Sequence, residues 1–228
     1  RLSDKLLGLE NDYTESSLQF QDKIHELEQN YNTTDIESGE ENDDPDDDTA
    51  DQLKQPLDLL ILGDSICKHL NVDLIYPGHD NKVVCRPGAK TPELRDALIN
   101  IESQYKVNKL VVHVMTNHIP EETPTEIAKE MLDFADEIKR VMPSTDLYVS
   151  LVLPKHDDSW LEGINCLNEK IYDGTTKIKF SVIQHPYFAS GGYANTELIS
   201  RDGIHLSRLG IKQLGMDIKR AFRSVLAT

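Results

Sequence analysis

"LLILGDSICKHL", residues 59–70, is the stretch on which the fold turns. Its first four residues are apolar without alternation, as in a strand buried on both faces of a sheet. Gly63-Asp64-Ser65 then breaks the run, and the residues beyond it read as the start of a helix. A serine at such a junction has two uses. It caps the helix, or it is a nucleophile held out at the edge of the sheet. The rest of the chain has to separate them.

The same kind of apolar run recurs downstream at "KVVC" (82–85), "KLVVHV" (109–114), "DLYVSLVL" (146–153) and "IKFSVIQ" (178–184). Between these runs the apolar residues switch to helical spacing. Leu94, Ala97, Leu98, Ile101 and Tyr105 share one face. Ile127, Met131, Phe134, Ile138 and Val141 share a second, and Leu161, Ile164, Leu167 and Ile171 a third. Ile211, Leu214, Ile218, Phe222 and Val225 close the chain. Strands alternating with helices predict an α/β domain of three layers, with a flavodoxin-like, doubly wound parallel sheet of five strands. This domain is expected over residues 56–228.

The residues before Pro56 read differently. Leu6, Tyr13, Phe20 and Leu27 recur at intervals of seven, with Leu2 and Leu9, then Ile24 and Tyr31, supplying a second seam position that shifts midway. Ser16, Ser17 and Lys23 interrupt the pattern. Residues 1–34 are therefore expected to form a coiled-coil helix that self-associates into a homo-oligomer, of a strand number and direction the seam does not define. "DIESGEENDDPDDDTAD" (35–51) combines like charge with few apolar residues, so residues 35–55 are expected to be a flexible acidic linker. Of the net charge of −16, residues 1–34 hold −4, residues 35–55 hold −9 and the domain only −3. With no Lys/Arg stripe, nucleic-acid binding by these residues is disfavoured.

Cys67, Cys85 and Cys166 are an odd, widely spaced set without a C-x-x-C or zinc pattern. They read as reduced thiols in an intracellular, cytoplasmic protein. No apolar run is long enough to span a membrane. The chain opens on Arg1 and reads as a fragment, so the lack of a signal peptide carries no weight.

In a doubly wound sheet, ligands bind beyond the carboxyl ends of the strands. The first expected strand is followed there by Ser65, the second by Arg86-Pro87-Gly88, and the third by Met115-Thr116-Asn117-His118. "RDGIHLS", with Asp202 and His205, follows the fifth after a long connection. Each also has an ordinary use: a cap for Ser65, a turn for Gly88, Asn117 or Asp202-Gly203. Together they supply a nucleophile, a base, an orienting carboxylate and oxyanion donors, the inventory of acyl transfer. G-x-S-x-G is absent, which sets aside the usual α/β-hydrolase elbow.

On these residues the chain resembles the SGNH, or GDSL-like, hydrolase family. "LLILGDSI" is similar to its first block, "RPGAKTPEL" to its second, "VVHVMTNHIP" to its third and "RDGIHLSRLG" to its last. The resemblance covers residues 57–226 and is nearest to the compact members that resemble platelet-activating-factor acetylhydrolase. A coiled coil and acidic linker ahead of such a domain also resembles first-reading-frame proteins of some non-LTR retrotransposons. The resemblance implies a serine esterase that removes short acyl groups such as acetyl without cofactor or metal. Ser65 is then the nucleophile, His205 the base and Asp202 its orienting partner. The backbone of Ser65, the backbone of Gly88 and the side chain of Asn117 form the oxyanion hole. The substrate is an ester, with a lipid or membrane surface as a possible carrier. The alternative is an assembly protein whose SGNH-like domain binds lipid, glycan or protein without turnover.

One block departs from the family pattern Gly-x-Asn-Asp. Met115 stands at the glycine and His118 at the aspartate, and Met115 is expected to narrow the acyl pocket. His69 reads as a surface residue, His113 as a core histidine and His118 as a residue at the mouth of the site. Trp160, Tyr187, Phe188 and Tyr193 are candidates for the wall of an acyl pocket.

Overall fold

The computed structural model describes residues 54–119, 121–155 and 157–224. The expected coiled coil at 1–34 and nearly all of the expected linker lie outside the described residues. Strands β1 (Gln55–Gly63), β2 (Asn81–Cys85), β3 (Tyr105–His113), β4 (Asp146–Ser150) and β5 (Ser181–Ile183) form one parallel sheet in the order β2-β1-β3-β4-β5. That is the flavodoxin-like, doubly wound order. Helices α1 (Val72–Ile75), α2 (Thr91–Glu102), α3 (Pro124–Val141), α4 (Leu161–Gly174) and α5 (Arg208–Ser224) cover it, and a small hairpin, β6 (Ala189–Ser190) with β7 (Tyr193–Ala194), lies in the last long connection.

The sheet divides the core into two layers. Alternate residues of β1 point to opposite faces. Leu60 and Leu62 join the side chains of α2, α3 and α4, including Leu94, Leu98, Phe134 and Leu167. Leu59 and Ile61 join Ile75 of α1 and Leu214, Ile218 and Phe222 of α5. Leu59, Leu60, Ile61 and Leu62 are all fully buried, as their unbroken apolar run requires. The start of α3 is set locally. Thr123 and Glu126 form a reciprocal cap around Pro124, in which the Thr123 side chain accepts from the Glu126 N–H and Glu126 Oε2 accepts the Thr123 N–H at 2.9 Å.

Four local expectations need correction. No α-helix starts at Ser65: residues Ser65–His69 form one 3-10 turn, and Asn71 then caps α1 afresh through the N–H groups of Asp73 and Leu74. The cap of the 3-10 turn is Asp64, whose Oδ1 accepts the Ile66 N–H at 3.0 Å, so the serine is not the cap. The fourth strand stops at Ser150 rather than at 153. Asn168 of α4 takes both backbone groups of Val152, its Oδ1 accepting the N–H and its Nδ2 donating to the carbonyl, each at 2.9 Å. The fifth strand starts only at Ser181, because Ile178 is still bonded to Gly174 at the end of α4. Tyr105 opens β3 rather than closing the helix before it.

Candidate active site

The register of the sheet brings the first three candidate loops side by side. Gly63 at the end of β1 is level with Cys85 of β2 and His113 of β3. Backbone bonds carry the pairing one step further, from Arg86 N–H to the Gly63 carbonyl (2.8 Å) and from Asp64 N–H to the His113 carbonyl (3.1 Å). Gly63 has to be glycine: a Cβ there would collide with the His113 carbonyl oxygen and with Cys67 Sγ. The chain thus turns out of the sheet in the closest possible contact with β3, and Ser65 leaves it half-buried at the carboxyl edge.

His205 meets it from the other end of the chain. His205 Nε2 lies 3.1 Å from Ser65 Oγ, and His205 Nδ1 lies 2.8 Å from Asp202 Oδ2. The other carboxylate oxygen, Oδ1, accepts the backbone N–H groups of Ile204 and His205, both at 2.9 Å. Those backbone bonds, followed by the His205 side chain, hold the Asp202 pKa down to about 2. An ionised carboxylate only accepts, so the imidazole proton sits on Nδ1 and Nε2 is left to accept the Ser65 hydroxyl proton. Two spaced residues suffice because one carboxylate makes the turn with one oxygen and orients the ring with the other. The turn use and the orienting use of Asp202 are therefore one structure. Such a chain of hydroxyl, imidazole and carboxylate is able to activate the hydroxyl as a nucleophile.

Ser65 and His205 line an open cleft of about 400 Å³, together with Lys68, Pro87, Ser200 and Ile211. Both His205 and Asp202 are about half exposed (49%). Gly88, beside Pro87, is exposed at φ +77°, a turn conformation that suits glycine. Asn117 is half-buried four residues beyond β3, and its Nδ2 donates to the Ala89 carbonyl at 2.9 Å. One amide hydrogen of Asn117 is thereby spent on the Gly88 loop. The structure joins Ser65, His205 and Asp202 by direct bonds, and it joins Asn117 to the loop of Gly88. It shows no direct bond from Ser65 to Gly88 or Asn117.

Met115 does not narrow the cleft. Its side chain is fully buried in the α2–α3–α4 core layer, and its backbone takes φ +95°, where a glycine would be at ease. The backbone takes a conformation that suits glycine, while the methionine side chain occupies core space. His118 is buried as well (1% exposed) and faces glutamates rather than the mouth of the site. His113 is a core residue as expected. Phe188 is buried in the α1–α5 layer, while Trp160, Tyr187 and Tyr193 are exposed, and none of the four lines the cleft. The five-residue turn after Ser65 is too short to act as a helix dipole toward the site.

A second Ser-His-Asp arrangement is present, away from the cleft and buried. Ser150 Oγ is 2.8 Å from His185 Nε2 and 2.8 Å from His113 Nδ1, and His185 Nδ1 is 3.0 Å from Asp217 Oδ2. Proton placement follows from the acid end. Asp217 takes the Nδ1–H of His185, His185 Nε2 accepts from the Ser150 hydroxyl, and that hydroxyl accepts from His113 Nδ1–H. Ser150 has no exposed surface, so no carbonyl substrate reaches it, and the chain ties β3, β4, the segment after β5 and α5 together. Sequence reasoning singled out His113 but missed its partners. The available signal was Ser150, a polar residue inside the buried run "LYVSLVL".

Cys67, Cys85 and Cys166 are free thiols, and burial pushes the Cys67 thiol well up. No helix among the described residues is long and apolar enough to cross a membrane.

No family model and no curated protein matches the chain. Solved structures do. A GDSL-like lipase from Bacteroides thetaiotaomicron aligns at a TM-score of 0.62 with 16% identity, covering 77% of this chain and 94% of that one. The lipase/acylhydrolase of Enterococcus faecalis aligns at 0.56 with 18% identity, over 74% and 96%. The esterase domain of the ORF1 protein of the zebrafish ZfL2-1 retrotransposon is 24% identical over 73% and 99%, at a TM-score of 0.39 that adds nothing to the fold assignment. The chain has the fold of the GDSL-like lipases and acylhydrolases.

Proposed function

We propose that this protein is a serine esterase acting on carboxylic esters. The observation that carries the reading is the continuous chain from Ser65 Oγ through His205 to an ionised Asp202, open to a cleft at the carboxyl edge of the sheet. Ser65 attacks the ester carbonyl as His205 takes its proton. His205 then returns that proton to the leaving alcohol, and water resolves the acyl-enzyme by the same route. Asp202 holds the ring in the required tautomer. The backbone N–H groups of Ser65 and Gly88 and the free amide hydrogen of Asn117 are assigned to the oxyanion. No step calls on a metal or cofactor.

The acyl group is proposed to be short, acetyl in the first instance, because the cleft at Ser65 is small and open. An apolar groove of about 670 Å³ adjoins it, with His69 and Ile211 common to both, and is floored by Leu74, Leu209 and Met216. That groove is the room a longer chain or a lipid surface would use. A p-nitrophenyl ester series from acetate to octanoate separates the two: rates falling with chain length support the short-acyl assignment, and rates climbing steadily refute it. The heptads of residues 1–34 support a self-associating stalk, joined by the acidic linker at 35–55 to the esterase domain at 56–228. This order of parts supports a retrotransposon-encoded, intracellular protein.

The decisive experiment is labelling with a fluorophosphonate and mapping of the modified peptide. Modification at Ser65, lost in Ser65→Ala and in His205→Ala, is the expected result. A folded protein that takes no label and hydrolyses no ester would favour the binding or scaffold alternative.

A further inference from the structure

We propose that His118 is a positioning residue that locks the Asn117 loop to the Gly88 loop and so sets the oxyanion side of the cleft. The inference rests on the esterase reading above. His118 is 1% exposed, and each of its ring nitrogens has a defined task. Nε2 lies 3.2 Å from the backbone N–H of Thr91, the first residue of α2. That N–H has no acceptor inside its own helix. A backbone N–H only donates, so Nε2 carries the lone pair and the ring proton is on Nδ1. Nδ1–H is directed at Glu122 Oε1 (3.0 Å) and Glu130 Oε2 (3.3 Å).

The ring therefore bridges three segments: the loop that carries Gly88 and runs into α2, the loop that carries Asn117, and α3 through Glu130. Lys90 strengthens the first link by pairing with Glu121 (2.6 Å) and Glu122 (3.3 Å). The His118 backbone is a hub too. Its N–H donates to the Met115 carbonyl at 3.1 Å, and its carbonyl accepts from Glu121 and Glu122 at 2.9 and 3.1 Å. Asn117 stands between Met115 and His118, and its amide reaches Ala89, next to Gly88. The ring thus ties together the loops that carry two of the three proposed oxyanion donors, Gly88 and Asn117.

One nitrogen and two carboxylates, with ligand atoms within 4.8 Å of one another, also suit a divalent cation. The tautomer argues against it. A metal on Nδ1 puts the proton on Nε2, where it faces the Thr91 N–H, donor against donor. Thr91 Oγ1, at 3.4 Å, would have to receive it.

The test compares wild type, Ser65→Ala, His118→Ala and His118→Gln on p-nitrophenyl acetate, with unfolding temperatures for each. A glutamine places its Oε1 near the position of Nε2 and keeps an acceptor for Thr91; alanine removes it. His118→Ala is expected to lower kcat by about 10–100-fold, the scale of a small misplacement of catalytic groups, with KM nearly unchanged. His118→Gln is expected to restore most of kcat, and dialysis against EDTA to change nothing. A folded His118→Ala with full kcat, a loss confined to KM, or a folded His118→Gln no better than alanine overturns the proposal. Loss of wild-type activity in EDTA overturns it in favour of a metal site. If wild type shows no Ser65-dependent hydrolysis, the esterase reading falls by itself. Amide exchange then decides on the lock: Thr91 protection kept in wild type and His118→Gln but lost in His118→Ala supports it, and equal protection in all three overturns it.

Discussion

Replacing Met115 by glycine pits two effects against each other at a single residue. The backbone there, at φ +95°, is one that side chains rarely adopt, and glycine removes a strain of about 1–2 kcal/mol. The side chain, however, is fully buried against α2, α3 and α4. Truncating a buried methionine to alanine costs about 2–5 kcal/mol, because transfer and cavity terms add. Glycine's greater freedom in the unfolded chain costs roughly 0.5–1 kcal/mol more. At the middle of these ranges burial wins, and Met115→Gly is expected to destabilise the domain by about 3 kcal/mol. For a domain of about 170 residues that lowers the melting temperature by roughly 5–15 °C. Urea titration followed by circular dichroism measures the difference, with Met115→Leu as the control that keeps the volume and the strain. A glycine variant as stable as wild type, or more so, would show that strain outweighs packing and that the reasoning is wrong.

Asn117→Ala is expected to lower kcat on p-nitrophenyl acetate by about 10²–10³-fold, the loss for one oxyanion donor, with the fold unchanged; a loss under threefold would remove Asn117 from the oxyanion hole. His113 is held neutral, its pKa lowered to about 3 by burial and then by the neighbouring His185. The unfolded chain therefore binds a proton that the folded one refuses, so stability falls as pH drops from the ordinary histidine range near 6.5 toward 3. His113→Asn, which keeps a donor for Ser150, is expected to flatten that part of a stability–pH curve, and an unchanged slope would count against the assignment. A fragment beginning at Gln52 is expected to keep the rate per site on a soluble ester and to drop to a lower oligomeric state by light scattering. Activity lost on truncation would mean a site completed between subunits.

The strands and helices were readable from residues 56–228 because burial on both faces leaves an unmistakable run such as Leu59–Leu62. The site residues were readable one by one because each follows a strand. What escaped depended on contacts between distant segments. Asn168 captures the backbone of Val152, sixteen residues before it and just past the end of β4, and no local pattern announces that. Met115 was read as a group facing substrate because it replaces a glycine, whereas its backbone twist turns the side chain into the core. His118 was placed at the mouth because Asn117 is there, and the glutamates that bury it come from the loop beyond and from α3.

The bond from His185 to Asp217 has a kinetic meaning. It joins the two ends of the segment that holds both Asp202 and His205, while Ser65 stands on the turn that follows β1. The nucleophile and its base thus reach the site from opposite ends of the domain, and the His185–Asp217 bond closes the segment that carries the base. Should that closure open, base and carboxylate are expected to shift together, while Ser65 keeps the support of β1 behind it. Loss of activity is then expected to precede loss of the sheet, which activity and circular dichroism followed along one urea titration would show.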